Sequence, residues 1–429
     1  MTLFVVLALI SALVTFGLSM LVYRLAHRYK LYPKIRARDV HTRPTPRLGG
    51  IAMFLGIVAA FGVAWLISAQ FPPLKIIFDD PAQILAILGG ALLIVLIGVA
   101  DDIWDLDWMT KLAGQFLAAG LIAWKGVQVY ALPLGGVTAI GSSWISLIIT
   151  VFAIVLVMNA INFIDGLDGL VAGVALIANG VFFLYTYLLV QQTSPSNYFN
   201  LASLIAALLV GACVGFLPLN WHPARLFMGD AGALLIGLLM ATSAIAVTTQ
   251  VSPASPSLVS AELMPAFIPI ILPFAVLLVP LLDFSLAVFR RLRAGKSPFS
   301  ADRKHLHHRL LDMGHSHLHA VLIFYGWTAV ASIGCALFFI LPAYFGLPAW
   351  WAAVFLVLGL IACTAVTLAP LSKRKALEAA SQAAAPDSPD AAATAPFDPL
   401  DEASEAFDDL DAVPSMANTA ENQTHKDQS

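Results

Sequence analysis

Charged residues are scarce in this chain of 429 residues. Asp, Glu, Lys and Arg make up 11% of the sequence and hydrophobic residues 59%, whereas about a quarter of a typical soluble domain is charged. The mean hydropathy is +0.85. These values exclude an ordinary soluble globular domain and predict an all-α polytopic membrane protein that resides in a lipid bilayer.

Cysteine is rare, and several diagnostic motifs are missing. The cysteines Cys213, Cys335 and Cys363 form no CxxC or Cys/His pattern, so we interpret them as free buried thiols. No GxxxxGK[ST] motif is present, which leaves ATP-driven transport of that type without support. The apolar run from Leu3 to Leu25 lacks the basic region and cleavage site of a secretory signal, and we interpret it as the first membrane span.

Apolar runs long enough to cross a bilayer occur along most of the chain, since a helix needs about 20 residues for this. We predict about eleven transmembrane helices, at residues 3–25, 49–69, 82–100, 110–125, 144–161, 168–190, 200–218, 231–249, 266–289, 320–341 and 349–370. From Ser372 onward the sequence is rich in Ala, Pro, Ser, Asp and Glu and holds 12 of the 26 acidic residues. We therefore predict a transmembrane domain at 1–371 and a disordered acidic tail at 372–429.

Basic residues alternate between the two sides of this predicted bundle. All but two of the 23 Lys and Arg residues follow odd-numbered spans, and the exceptions are Lys75 and Lys125. Loops rich in Lys and Arg remain in the cytoplasm. The odd-numbered loops and the C-terminus are therefore predicted to be cytoplasmic, and the N-terminus to lie outside.

Five polar stretches also follow odd-numbered spans. They are HTRPTPRLGG (41–50), DDIWDLD (101–107), NAINFIDGLDGL (159–170), RLFMGDAG (225–232) and SPFSADRKHLHHRL (297–310). Polar side chains at membrane depth are costly and usually functional. This arrangement predicts an active site on the cytoplasmic face of a membrane scaffold.

The stretch 159–170 concentrates amides and carboxylates at one span end. Asn159, Asn162, Asp165 and Asp168 recur every third residue, a spacing that places them along one side of a helix. Two glycines interrupt the pattern and favour a sharp bend with exposed backbone N–H groups.

The stretch DDIWDLD holds four carboxylates within seven residues, of which Asp101 and Asp105 share a face if the helix continues. Adjacent carboxylates repel each other, and a bound cation would explain the cluster. Oxygen ligands without thiolates favour Mg²⁺ or Mn²⁺. The alternative is a solvated acidic loop. Asp230, before the eighth span, is either a further ligand or a helix cap.

Six of the ten histidines lie between residues 305 and 319, close to Arg303, Lys304 and Arg309. Such a mixture of cationic groups is typical of a phosphate-binding surface. A zinc site is the alternative, although HLHH (305–308) lacks the HExxH arrangement and a nearby Cys or Glu.

Other basic and histidine residues are less specific. We interpret His315, His317 and His319 as interfacial. The eight basic residues of the first loop can serve topology alone, and Arg43 and Arg47, beside a Gly-Gly pair, are the ones that merit a test.

The ordered motifs DDxxD, NxxNFxDGxDGL, FMGDxG and PFxxDxxHLHHxL resemble those of the polyprenyl-phosphate N-acetylhexosamine-1-phosphate transferases, over about residues 20–340. Members that transfer phospho-MurNAc-pentapeptide carry three consecutive histidines instead. HLHH preceded by Asp302 is similar to the branch that uses UDP-GlcNAc or a related UDP-HexNAc, and the loop 300–317 resembles that of actinobacterial members.

The resemblance implies a Mg²⁺-dependent glycosyl-1-phosphate transferase, with Mn²⁺ as an alternative metal. Undecaprenyl or decaprenyl phosphate would attack the β-phosphate of UDP-GlcNAc, releasing UMP and forming polyprenyl-pyrophosphoryl-GlcNAc. This is the first lipid-linked step of cell-wall or envelope polysaccharide synthesis. The implied setting is the bacterial plasma membrane, with the catalytic domain at 1–371, a homodimer as a further suggestion, and no nucleic-acid partner.

The resemblance also assigns roles to residues of this sequence. It implies catalytic roles for Asp101, Asp102, Asp165 and His305, and metal binding by Asp230 and Asn162. It implies binding of the UDP-sugar by Asp168, Gly166, Leu167 and Phe227, with Phe227 stacked on uracil and Asp168 at its edge. Phosphate binding is implied for Lys111, Arg303, Lys304, His307, His308 and Arg309. Asp101 would deprotonate or orient the lipid phosphate, and Asp102 would support Asp101.

Two other functions remain open at this point. The first is phospho-MurNAc-pentapeptide transfer in peptidoglycan synthesis. The second is proton-coupled secondary transport, which would use buried carboxylates. Carriers place such groups near the bilayer midplane in two related halves, whereas here the motifs lie at span ends and do not repeat.

Overall fold

The structure is a computed structural model of the chain. It describes residues 1–30, 45–129, 131–133, 137–139, 142–193, 200–250, 289, 292–293, 295, 310–311 and 313–383. Its helices are α1 (Thr2–Tyr29), α2 (Gly49–Ser68), α3 (Pro72–Lys75), α4 (Pro81–Trp104), α5 (Trp108–Trp124), α6 (Ser143–Ile164), α7 (Leu170–Thr193), α8 (Leu201–Asn220), α9 (Gly229–Gln250), α10 (His317–Phe345) and α11 (Trp350–Ala383).

The helices confirm the predicted all-α polytopic class. Within the described residues, nine helices are long and apolar enough to cross a membrane: α1, α2, α4 and α6 to α11. α5, the predicted fourth span, has 17 residues, or about 26 Å of helix, which is short for a hydrocarbon core of about 30 Å. The predicted ninth span, 266–289, lies outside the described residues apart from its last position.

A short β-hairpin lies between α5 and α6, and the sequence analysis did not predict it. Strand β1 (Ala131–Pro133) pairs antiparallel with β2 (Val137–Ala139), and Leu132 is opposite Thr138. β-Branched residues in the second strand favour the extended conformation. The hairpin lies at the far end of α5 and α6 from the polar motifs.

The central helix of the bundle is α9. It packs against α2, α4, α6, α7 and α8. Of its apolar, membrane-spanning stretch within Gly229–Val247, 94% is buried inside the protein, whereas the figure for α11 is 6%. An apolar helix with little protein around it suits contact with lipid. α9, in contrast, is surrounded by other helices. Its first residues, including Asp230, therefore lie between neighbouring helices at one end of the bundle.

Small residues let α2 and α4 approach α9 closely. A Cβ atom added at Gly98 of α4 would overlap the main chain of Ala231, and one added at Gly50 of α2 would overlap that of Gly232. Such small-residue contacts are the usual means by which membrane helices pack. They bring the ends of α2 and α4 beside the start of α9.

The chain divides into two units, Met1–Leu371 and Ser372–Ser429. α11 continues to Ala383, into the segment predicted as disordered tail, because residues 372–383 are mostly Ala, Leu, Lys, Arg, Glu and Gln, which favour helix. The rest of the tail lies outside the described residues.

We expect Gly98→Ala to lower the stability of the bundle, because its methyl group must displace the Ala231 backbone. Overpacking of this kind costs about 1–3 kcal/mol. The measurement is the unfolding temperature of the purified protein in detergent.

Gly62→Ala in α2 is the matched control, since nothing lies within 4 Å of the added Cβ and alanine favours a helix more than glycine does. An equal fall in unfolding temperature for both variants would contradict the packing argument.

Candidate active site

Four of the five polar stretches of the sequence meet at one end of the bundle. They are the segment that leads into α2, the end of α4, the end of α6 with the turn after it, and the start of α9. The ammonium of Lys111 in α5 joins two of these elements, at 3.1 Å from Asp101 Oδ2 and 3.2 Å from Asp230 Oδ2. The fifth stretch, 297–310, lies outside the described residues apart from Leu310.

The two carboxylates that share Lys111 differ in their access to solvent. The side chain of Asp101 is 4% exposed and that of Asp230 is 28% exposed. A buried charge needs a partner, and Lys111 provides one for Asp101. The more open carboxylate of Asp230 is the better placed of the two to meet a ligand.

Asp102 contacts Asp230 and not Lys111. Its Oδ1 accepts a hydrogen bond from the Asp230 backbone N–H at 3.4 Å, as an acidic group at a helix N-terminus commonly does. Gly229, which precedes Asp230, has a φ of 68°. A Cβ atom at this position would collide with the Asp102 carboxylate and the Arg47 carbonyl oxygen, so only glycine fits here. Asp102 therefore caps the start of α9 at Asp230, and its expected support of Asp101 stays a prediction.

The segment before α2 is bonded to the segment before α9. Phe227 N–H donates to Pro46 O at 2.8 Å, Gly49 N–H donates to Phe227 O at 3.0 Å, and Gly50 N–H donates to Met228 O at 2.9 Å. This pairing brings Arg47 into the site, where its charge acts on Asp102 and Asp165. Arg47 was singled out only as worth testing, because seven other basic residues share its loop.

The amides of α6 have two different roles. The Asn162 side-chain amide interacts with the Asp230 carboxylate, so the two residues expected to share a metal are adjacent. Asn159, one turn deeper, donates to Gln115 Oε1 of α5 at 2.5 Å and to Val155 O at 2.8 Å. Asn159 therefore braces α6 against α5.

Asp165 ends α6 and is exposed to solvent. Partial loss of hydration beside the neighbouring groups raises its pKa to about 7, and repulsion from Asp230 adds to the rise. A carboxyl group with this pKa can take up or release a proton near neutral pH.

Asp168 belongs to the turn between α6 and α7 and is held from two sides. Its side chain is 3% exposed, and Oδ2 accepts hydrogen bonds from His222 Nδ1 at 2.7 Å and from Ala224 N–H at 3.1 Å. Its backbone N–H donates to His317 Nε2 at 3.2 Å. No sequence motif indicated His222, and His317 was predicted to be interfacial. Both lie far from Asp168 in sequence, by 54 and 149 residues, so only the fold shows the contacts.

The glycine that follows Asp168 is anchored as well. Gly169, with φ of 74°, donates to Asn220 Oδ1 at 3.0 Å, and its carbonyl accepts from Tyr325 Oη at 2.6 Å. Within the same turn Gly166 is half-buried and Leu167 is buried in the hydrophobic core. Leu167 can therefore line a ligand site only through its backbone.

Asp168 is hydrogen-bonded to the loop that carries Phe227. Phe227 is half-buried and lies three positions after Ala224, whose N–H binds Asp168. Six residues with expected roles lie outside the described residues: Arg303, Lys304, His305, His307, His308 and Arg309.

Carboxyl groups outnumber basic groups in the described part of the site. Four carboxylates, those of Asp101, Asp102, Asp165 and Asp230, lie near the cations Lys111 and Arg47. Asp101 Oδ1 and Asp102 Oδ2 are buried without a hydrogen-bond partner among the described residues. Carboxylate and amide oxygens of this kind fit a hard divalent cation such as Mg²⁺, and the two cations fit phosphate.

Comparison with known proteins links this site to one family. The sequence profile of glycosyl transferase family 4 matches residues 84–248, a range that contains Asp101, Lys111, Asn162, Asp168 and Asp230.

Several curated relatives match most of the chain. The decaprenyl-phosphate N-acetylglucosaminephosphotransferase of Mycobacterium tuberculosis (strain H37Rv) is 40% identical over 371 residues, covering 85% of this chain and 88% of the relative. The protein of the same name from Mycobacterium leprae is 39% identical, covering 76% and 82%. The undecaprenyl-phosphate alpha-N-acetylglucosaminyl 1-phosphate transferase of Escherichia coli K12 is 28% identical, covering 72% and 77%.

Proposed function

This chain belongs to the polyprenyl-phosphate N-acetylglucosamine-1-phosphate transferases, and we propose that it transfers GlcNAc 1-phosphate from UDP-GlcNAc to a polyprenyl phosphate. A phosphate oxygen of the lipid attacks the β-phosphorus of the donor. The bond from that phosphorus to the oxygen bridging the two phosphates breaks, and UMP leaves with the electron pair. The product is polyprenyl-pyrophosphoryl-GlcNAc.

The observation that carries this proposal is the position of Lys111 between Asp101 and Asp230. Both substrates and the leaving group are phosphates, so their negative charge must be offset during transfer. Lys111 can do so at the point where α4, α5 and α9 meet. The burial of Asp101 suits it to hold Lys111 in place, and its expected role as the base toward the lipid phosphate stays a prediction.

The oxygen donors support the proposal that a divalent cation takes part. Asp230 and Asn162 would hold Mg²⁺, with Mn²⁺ as the alternative, and Asp102 keeps Asp230 in position through its backbone N–H. Such an ion polarises phosphoryl oxygens and orients them for in-line displacement. Asp165, at the end of α6, is the group near which we place the pyrophosphate or the sugar.

The turn 166–169 and the loop before α9 would form the nucleoside end of the site. Family resemblance assigns Phe227 to stacking on uracil and Asp168 to its edge, with Gly166 and Leu167 in the wall. The hydrogen bonds that join this turn to residues 220–224 support a common pocket. The basic segment 303–309, with His305, would approach the phosphates.

Several finer features belong to the proposal. We place the enzyme in the bacterial plasma membrane with this end of the bundle in the cytoplasm, in agreement with the distribution of Lys and Arg. The homodimer stays a prediction. Proton-coupled transport is disfavoured because Asp101 lies in the last turn of α4 and Asp230 in the first turn of α9, at span ends and not at the midplane.

We expect UDP-GlcNAc to be the preferred donor in a panel with UDP-GalNAc and UDP-MurNAc-pentapeptide, assayed by UMP release with purified protein and decaprenyl phosphate. The prediction rests on the HLHH motif and on the N-acetylglucosamine named in the relatives. Faster turnover of UDP-MurNAc-pentapeptide would assign the chain to the peptidoglycan branch instead.

Metal binding should respond in opposite directions to two substitutions. Asp230→Asn should weaken Mn²⁺ binding, measured by electron paramagnetic resonance without substrate, by at least about 10-fold. Lys111→Gln should tighten it by about 3- to 10-fold, because the ammonium no longer neutralises Asp101 and Asp230. Both variants should lose Mg²⁺-dependent UMP release.

Asp80→Asn is the matched control for this experiment. Asp80 caps the opposite end of α4, about 30 Å from Asp101, and asparagine caps a helix equally well. Unchanged Mn²⁺ affinity in both site variants would refute the metal assignment, whereas weaker binding in Lys111→Gln would refute the competition between Lys111 and the metal.

A further inference from the structure

A second cluster of titratable side chains lies beside the nucleoside end of the site. It consists of Asp168, His222 and His317, whose potential ligand atoms all lie within 4.8 Å of one another. These residues come from the turn before α7, the loop after α8 and the start of α10. Of these three residues, only Asp168 has a role in the proposed function, at the edge of uracil.

The geometry of the two imidazoles argues against a metal ion in this cluster. The rings of His222 and His317 are stacked, with centroids 4.2 Å apart and planes inclined by 22°. Each nitrogen lone pair lies in the plane of its ring, so two nearly parallel, stacked rings cannot both direct a lone pair at one ion about 2 Å away. The lone pair of His317 Nε2 already accepts the Asp168 N–H. The cluster is a hydrogen-bonded array.

Within this array the exposed group is His222 and the buried group is Asp168. The side chain of His222 is 46% exposed and that of Asp168 is 3% exposed. Asp168 therefore presents little surface to a ligand, whereas nearly half of the His222 side chain is accessible.

The partners of His222 also fix which nitrogen carries the proton. An ionised carboxylate only accepts hydrogen bonds, so the contact of 2.7 Å between His222 Nδ1 and Asp168 Oδ2 requires a proton on Nδ1. In the neutral ring Nε2 is then an acceptor. The stacked ring of His317 and the N–H of Ala224, which also binds Asp168 Oδ2, hold this orientation. A buried carboxylate that orients an imidazole toward a substrate is a recurrent arrangement.

We propose that His222 contacts the uracil of the donor nucleotide, with Nε2 accepting the N3–H of the base, and that Asp168 acts on the nucleotide through His222. The proposal rests on the proposed function and deepens its uridine site. It explains how a carboxylate that is 3% exposed can influence a nucleobase. It also gives a physical basis for base selection, because cytosine has a lone pair and no hydrogen at N3.

Two amide substitutions separate a ligand contact from a structural role. In His222→Asn the amide replaces Nδ1 and can still donate to Asp168, but it does not reach the base. In His222→Gln the amide oxygen replaces Nε2 and can still accept from uracil N3–H, but it does not bind Asp168. His319→Gln is the control, since His319 is exposed and its Nδ1 contacts Ser316 Oγ.

The measurement is the affinity of each full-length variant in detergent for UMP and for CMP, by calorimetry, together with KM for UDP-GlcNAc. We expect His222→Asn to lose UMP affinity by about 10-fold, the value of one hydrogen bond, and to lose most of its preference over CMP. His222→Gln should stay within about 3-fold of wild type. KM for the polyprenyl phosphate should not change in either variant.

Other results would overturn the proposal. If His222→Asn kept wild-type affinity while His222→Gln lost it, His222 would only position Asp168. Equal affinities in both variants, or one bound zinc per chain that is lost with His222, would also overturn it. Failure of wild-type protein to bind UMP or to turn over UDP-GlcNAc would refute the proposed function, which is a separate outcome.

Discussion

The ion pairing of Lys111 with Asp101 and Asp230 is the interaction on which the architecture of the site depends. Carboxylates at the end of a membrane bundle are tolerated only with cationic or hydrogen-bonding partners. Lys111 lies 3.1 and 3.2 Å from them, and Gly98 lets α4, which carries Asp101, pack directly on the start of α9, which carries Asp230. The start of α9 is fixed at the same place. It begins at Gly229, which has a positive φ, and the carboxylate of Asp102 accepts the next backbone N–H, that of Asp230.

The site consists of two neighbouring regions with different side chains. At the proposed site of phosphate transfer, Lys111 and Asp230 bring charges of both signs beside the neutral amide of Asn162, which suits phosphates and a divalent cation. At the nucleoside end, the turn after α6 is fixed to the loop after α8 and to α10 by neutral and charge-assisted hydrogen bonds. α6 joins the two ends, because Asn162 faces Asp230 while the chain continues into the turn at Asp165.

Much of this organisation could be predicted from the sequence, and the exceptions share a physical cause. Long apolar runs define single helices, so the polytopic class and most spans were predictable. The position of the polar motifs after odd-numbered spans predicted Asp101, Asn162 and Asp230 on one side of the membrane, and the family resemblance implied that Asp230 and Asn162 share a metal. Contacts between distant segments left no local signal: Asp102 capping α9, Asn159 bracing α5, and His222 paired with Asp168 depend on how helices pack. The fourth predicted span, 110–125, was already short in the sequence, and α5 has 17 residues.

The fate of the β-phosphate is the measurement that tests the central claim most directly. Purified protein in detergent would receive polyprenyl phosphate and UDP-GlcNAc that carries ³H in the sugar and ³²P in the β-phosphate. The account predicts both labels in one lipid product in the starting ratio, with UMP released in equal amount. A lipid that carries ³H without ³²P, with UDP as the other product, would mean that the sugar alone is transferred and would contradict it.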